Sequence, residues 1–188
     1  IALILYHQSE FISIILSSGY ISIDSYCLNE LEFWQAFSIL AFEHIVEIHM
    51  FSASKIYSMT IIRYFGLFLI TCGDLFRIIS ILYCGDGFSH ILNTNMDRVS
   101  KLVTSGPYRL FRHPSYVGWI VWVYGFVILL QTPISSLIFT FAIYRFFSER
   151  ILIEERILIN LYGEEYIEYM KKVPTGIPFI RSTHLNAH

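Results

Sequence analysis

The sequence predicts an all-α fold: a polytopic integral membrane helical bundle with a C-terminal helical hairpin and cytosolic amphipathic helices. Three observations carry this. Hydrophobic residues make up 55% of the 188 positions and charged residues only 15%, against about 45–50% and about 25% in ordinary soluble domains. Mean hydropathy is +0.55. Apolar stretches close to the roughly 20 residues of a membrane span recur along the chain, separated by polar breaks. Thirteen Lys+Arg against fifteen Asp+Glu argue against a general nucleic-acid binder. Cys27, Cys72 and Cys84 stand far apart without a C-x-x-C, so neither a disulfide framework nor a zinc knuckle is indicated.

The elements follow in order. Ile1 to Ser18 reads as the end of one membrane helix, closed by Gly19 and the polar Ser22, Asp24 and Ser25. No basic region precedes it, so it does not read as a signal peptide; a chain beginning inside an apolar stretch reads as one whose N-terminal part is missing. Phe33–Phe51 and Met59–Leu82 are the next two spans. Glu43 and Glu47 share one face of the first, and Asp74 and Arg77 one face of the second, with Arg63 near its start. Such charges belong against other helices or a wet cavity, not against lipid. Cys84–Arg112 is too polar to span. Ser115–Leu130 and Pro133–Phe147, split by Gln131-Thr132-Pro133, reach about 24 and 22 Å at about 1.5 Å per residue, enough for a tight hairpin that barely crosses.

A hairpin returns the chain to the side it left, so the 84–112 stretch and everything after Ser148 share one side. Nine of the thirteen basic residues lie between Lys101 and Arg181, which makes that side cytosolic. The 19–32 loop falls on the same side by parity but has no Lys or Arg. Glu149 to Gly163 continues in helical register as an amphipathic helix, and Glu164–Lys172 forms a second one before Val173-Pro174 stops it. Residues 1–83 thus read as the membrane helices, and 84–188 as a second part with the loop, the hairpin, the interfacial helix and the tail.

Three groups could carry chemistry. Arg112, His113 and Tyr116 place a cation, an imidazole and a phenol where the chain meets the membrane, beside Pro114 and Gly118. An interfacial anchor would use the same residue types. Arg150 and Glu154, followed by Glu155, are spaced i, i+4, as in an ordinary helix-surface ion pair. The stiff tail Val173–Ile180 could lie over a site as a lid. No G-x-S-x-G, H-E-x-x-H, P-loop or G-x-G-x-x-G is present. What remains is an apolar interior with a charged rim, which suits a lipid-bearing substrate and a polar cosubstrate.

Across nearly its whole length the chain resembles the isoprenylcysteine carboxyl methyltransferase family. The resemblance rests on an ordered set of blocks: Tyr6-His7-Gln8-Ser9-Glu10-Phe11, Leu31-Glu32-Phe33, Phe88-Ser89-His90-Ile91, Leu102-Val103-Thr104-Ser105-Gly106 and Phe111 to Trp119. Arg145-Phe146-Phe147, Glu154-Glu155, Gly163-Glu164-Glu165-Tyr166 and the tail Val173 to Ile180 complete it. The R-H-P-x-Y-x-G element alone also occurs in phospholipid methyltransferases and sterol reductases. Ser100-Lys101 and Gly87 depart from the family pattern.

The resemblance implies S-adenosylmethionine as cosubstrate, with a pocket of Leu102, Val103, Tyr108, His113, Pro114, Ser115, Tyr116 and Glu154. It implies Arg150 as the catalytic residue that binds the substrate carboxylate, and no metal. The partners it implies are prenylated proteins ending in farnesyl- or geranylgeranyl-cysteine, in contact with membrane lipid, at a multi-pass endoplasmic reticulum protein whose site faces the cytosol. Rival readings are an NADPH-dependent sterol reductase, a phospholipid N-methyltransferase and a non-catalytic scaffold of the same fold.

Overall fold

The computed structural model describes residues 2–18, 31–51, 60–85 and 101–180. The 19–30 loop with Cys27, the stretch 86–100 with Gly87, Phe88-Ser89-His90 and Ser100, and Arg181 lie outside the described residues. Six α-helices are described: α1 (Ala2–Ser18), α2 (Leu31–Phe51), α3 (Thr60–Cys84), α4 (Pro114–Leu130), α5 (Pro133–Tyr162) and α6 (Glu164–Lys172). A 3-10 turn at Gly106–Arg109 precedes α4, and there is no strand among the described residues. Each helix falls where the apolar pattern puts it, to within two residues. The second half of the hairpin and the first amphipathic segment form one continuous helix of 30 residues.

Local chemistry sets the helix limits. Pro114 and Pro133 occupy first-turn positions of α4 and α5, where a missing N–H costs nothing. Gln131 ends α4 in the left-handed region at φ 57°, and its N–H donates to the Ile128 carbonyl. Gly163, at φ +55°, separates α5 from α6 while donating its N–H to Ile159. The start of α5 is capped from another helix. Glu43 of α2 accepts from the backbone N–H of Ile134 at 2.7 Å and of Ser135 at 2.6 Å, and from the Ser135 hydroxyl. His44, next to it, reaches the Leu130 carbonyl at 2.8 Å. A carboxylate at a helix N-terminus and an imidazole at a C-terminal carbonyl both satisfy groups a helix leaves open. Glu43, one of the two α2 carboxylates expected to face other helices, therefore fastens α2 to the hairpin tip together with His44.

The most extensive helix contact joins α3 and α4. It depends on four glycines. A Cβ on Gly66 would stand 2.6 Å from the Leu129 nitrogen and one on Gly73 2.6 Å from the Trp122 nitrogen. From the other side, a Cβ on Gly118 would meet the Arg77 nitrogen at 2.8 Å and one on Gly125 the Ile70 nitrogen at 2.7 Å. The glycines are seven apart on each helix and face one another across an antiparallel pair, so backbone lies on backbone. α1 packs on α3, where Glu10 and Arg77 form a buried ion pair and Ser9 donates to Asp74 at 3.0 Å.

The main core gathers Tyr6, Ile70, Trp122, Ile143, Phe147 and Ile151 with Ile177 and Ile180 of the tail, and so draws on both sides of the division at residue 83. The tail is a clasp packed into this core, not an overlying lid. The outer faces are apolar as well: Ile61, Phe68, Phe42, Leu16 and the row Ile134, Leu137, Phe141 are exposed. A water-facing monomer rarely presents so much contiguous apolar surface. Among the described residues, α3 has the length and apolar content to cross a membrane, with 25 residues and an 18-residue stretch of mean hydropathy 1.9; α4 is a shorter apolar helix.

Gly73→Ala and Gly118→Ala are each expected to destabilise the protein by about 1–3 kcal/mol, because a helix backbone must retreat. Thermal melting in detergent checks this, and unchanged melting would show that the seam is looser than described.

Candidate functional site

The short link 110–113 between the 3-10 turn and α4 carries two side chains that organise the region. Arg112 is buried. Its guanidinium donates to Glu155 Oε1 from Nε at 2.9 Å and from Nη2 at 2.8 Å. Nη1 donates to the carbonyls of Met170, at 3.1 Å, and Val173, closing the C-terminal end of α6. The backbone of the link is tied to the tail as well: Arg112 N–H donates to Pro174 and His113 N–H to Thr175. Gly176, at φ +96°, has no room for a Cβ between Val117 and Phe111. The tail thereby braces the start of α4.

His113 lies between two adjacent glutamates. Its Nε2 is 3.3 Å from Glu155 Oε1 and its Nδ1 is 3.6 Å from Glu154 Oε2. A carboxylate only accepts, so Nε2 carries the proton toward Glu155. The imidazole stacks on the Tyr116 ring, with centroids 5.5 Å apart and an 8° interplanar angle. Tyr116 donates its hydroxyl to Glu154 Oε2 at 2.7 Å and accepts from Arg150 Nε at 2.8 Å. Arg150, Glu154 and Tyr116 therefore form one chain of hydrogen bonds running from cation to phenol to carboxylate. The i, i+4 pair is joined through a residue of α4.

The structure brings His113, Tyr116, Arg150 and Glu154 into this one cluster. Pro114 and Ser115 are buried at the start of α4, and the Ser115 carbonyl accepts from Arg77 at 3.0 Å. Tyr108 hydrogen-bonds the Ser80 carbonyl at 3.3 Å, and its own carbonyl accepts from Tyr169. Leu102 sits elsewhere, in a satellite core with Tyr166, Tyr169 and Met170 under α6, and Val103 beside it is half-buried. The Leu102 side chain is thus occupied with packing.

The reading by motif did not foresee the Arg112–Glu155 pair, whose members are 43 residues apart. A signal was present: Ile143, Phe147, Ile151 and Glu155 follow each other at i+4 and are all buried, so Glu155 is a charge on the apolar stripe. It lies past the apolar part of α5. Burial, the largest influence, pushes its carboxyl up, but the hydrogen bond from His113 and the Arg112 charge hold it below the ordinary carboxylate value.

The sequence profile of the isoprenylcysteine carboxyl methyltransferase family matches residues 65–160, the stretch holding every member of the hydrogen-bonded cluster. The chain belongs to this family. It is 40% identical to a protein-S-isoprenylcysteine O-methyltransferase of Xenopus laevis, covering 96% of this chain and 62% of that protein. It is 36% identical to protein-S-isoprenylcysteine O-methyltransferase B of Arabidopsis thaliana, covering 96% of this chain and 91% of the relative. The human enzyme of that name is 35% identical over 98% of this chain and 65% of its own length. Among solved structures, a eukaryotic intramembrane Ras methyltransferase of the family superposes with a TM-score of 0.90 at 36% identity, over 96% of this chain and 65% of the other. The sterol reductase reading is not favoured beside these matches.

Arg112→Met alone is expected to cost about 3–5 kcal/mol, because it removes the guanidinium and leaves the buried Glu155 with His113 as its remaining partner. Arg112→Met with Glu155→Met should recover a large part of this. Glu155's folded pKa is depressed, so its contribution is present above the unfolded value of about 4.3 and is lost as pH falls through the folded one. Melting temperature should therefore drop on acidification below about pH 4, and less so in the double variant. Melts across pH in detergent check both.

Proposed function

We propose that this chain transfers a methyl group from S-adenosylmethionine to the C-terminal carboxylate of a prenylated cysteine in CaaX-processed proteins. One observation carries the reading: a cation, Arg150, and a carboxylate, Glu154, are held one helical turn apart by a single phenol, Tyr116. A reaction joining an anionic acceptor to a cationic donor needs two oppositely charged receptors side by side. The Glu154 side chain is 30% exposed, against the aromatic wall of Tyr116. An accessible carboxylate beside a π-face fits a ligand bearing an ammonium and a sulfonium. His113, Pro114, Ser115 and Tyr108 complete the donor side of the proposal; at Leu102 and Val103 it rests on backbone groups. The donor, when bound, supplies a methyl group on a positively charged sulfur.

An α-carboxyl has a reference pKa of about 3.3–3.7 and is already ionised at neutral pH, so no general base is required. A carboxylate oxygen forms the new bond to the methyl carbon as the carbon–sulfur bond breaks, with the electron pair leaving on sulfur; no proton moves. The protein has to orient the carboxylate and strip part of its water. Arg150 does this with a planar fork suited to carboxylates. The prenyl chain, farnesyl or geranylgeranyl, lies in the apolar part of the bundle, and each buried CH₂-sized group contributes about 0.8 kcal/mol. In this reading residues 84–188 form the catalytic core of a multi-pass endoplasmic reticulum protein. The basic excess of that region supports a site on the cytosolic side.

Membranes expressing the protein, given radiolabelled S-adenosylmethionine and N-acetyl-S-farnesylcysteine, should form a base-labile methyl ester; the pre-esterified compound should accept nothing. No transfer in membranes shown to contain the protein would refute the reading. Arg150→Ala should lower turnover by roughly 10² or more with donor affinity largely kept. Glu154→Gln should instead raise the KM for the donor, and an unchanged donor KM would remove that assignment.

A further inference from the structure

We infer that Tyr116 is a positioning residue for the acceptor: its hydroxyl fixes the edge that the Arg150 guanidinium turns toward the substrate carboxylate. The inference rests on the methyl-transfer reading and deepens it by separating the two ends of the site. A tyrosine beside a donor pocket is ordinarily a wall. Here its oxygen has a defined polarity: it accepts from Arg150 Nε at 2.8 Å and donates to Glu154 Oε2 at 2.7 Å. Arginine has one Nε proton, and it is already directed at Tyr116. A carboxylate held by this guanidinium therefore meets it at the terminal nitrogens.

Four ring contacts make that orientation stiff. The phenol is stacked on His113 and lies 4.7 Å from the Phe147 ring, so its oxygen cannot swing without disturbing two buried groups. The guanidinium carbon sits 5.8 Å from the Tyr116 ring centroid and 5.9 Å from that of Phe146, so two rings border it. His113 is itself held by Glu155. Orientation thus passes from the buried Arg112–Glu155 pair through His113 and Tyr116 to the tip of Arg150. Without the hydroxyl, Arg150 keeps its charge and its attraction for an anion but loses the contact that sets its angle.

The test is a double-mutant cycle on the expressed protein in membranes, with Tyr116→Phe, Arg150→Ala and both together. Tyr116→Phe should lower kcat for N-acetyl-S-farnesylcysteine by roughly 10–10²-fold and change the donor KM by less than about threefold. In the Arg150→Ala background the same change should cost less than about twofold, because the residue acts through Arg150. Melting temperature and protease resistance of Tyr116→Phe should match the wild type, which separates positioning from folding. A loss from Tyr116→Phe that is equally large with and without Arg150 overturns the inference. So does a loss confined to the donor KM, which would leave Tyr116 with no role beyond its wall of the donor pocket. A wild-type protein that transfers no methyl group refutes the functional reading itself, a result distinct from either.

Discussion

The close approach of α3 and α4 across four glycines is the constraint on which the rest depends. With Gly73 against Trp122 and Gly118 against the Arg77 backbone, the first turn of α4 is held against α3 and cannot slide. Arg77 then reaches the Ser115 carbonyl while keeping its ion pair with Glu10. α1, α3 and the start of α4 become one unit. Only from such a fixed start can His113 and Tyr116, one turn apart, point at a helix that comes back from the far end of a hairpin. Small residues serve this purpose in apolar surroundings because dispersion between closely apposed backbones replaces the hydrophobic drive available in water.

Two adjacent glutamates on α5 show how the site divides its labour. Successive helix residues are rotated by about 100°, so Glu154 and Glu155 face different surroundings. Glu155 is fully buried and Glu154 partly exposed. The buried one is charged because Arg112 and His113 meet it there; an unpaired carboxylate in that place would be prohibitive. The exposed one keeps part of its surface accessible. His113 touches both, linking a buried ion pair to a partly exposed carboxylate. A buried pair of this kind contributes less to net stability than to keeping its neighbours in one arrangement, and here the neighbours are the residues of the site.

The tail belongs to the same logic. Thr175, buried, turns its hydroxyl onto the carbonyls of Ile177 and Ile180, and those two isoleucines enter the main core. Its backbone receives the N–H groups of Arg112 and His113. Those donors precede α4 and have no partner inside it, so a segment from the end of the chain satisfies what the helix start leaves open. Glu43 does the same for α5 from another helix. Both hairpin helices are thus capped by distant parts of the chain.

The helices were legible in the sequence because apolar runs and prolines are local signals. The positions of Pro114, Pro133 and Gly163 set limits that the structure reproduces. The cluster of Arg150, Glu154, His113 and Tyr116 was legible through the ordered motifs of the family, and the i, i+4 spacing put two of its members on one face. What spacing could not show is that Arg150 and Glu154 meet through Tyr116, 34 and 38 residues away. Nor could it show that Arg112 and Glu155 pair, that Leu102 turns into a satellite core, or that the tail is a clasp. The reason is physical. Periodicity and capping depend on neighbours within one or two turns, whereas these contacts depend on how closely α3 and α4 approach and how the hairpin returns. The sequence by itself determined the helices, the apolar exterior and the chemical inventory of the candidate site; the tertiary structure decided which charges are buried together and which stay accessible.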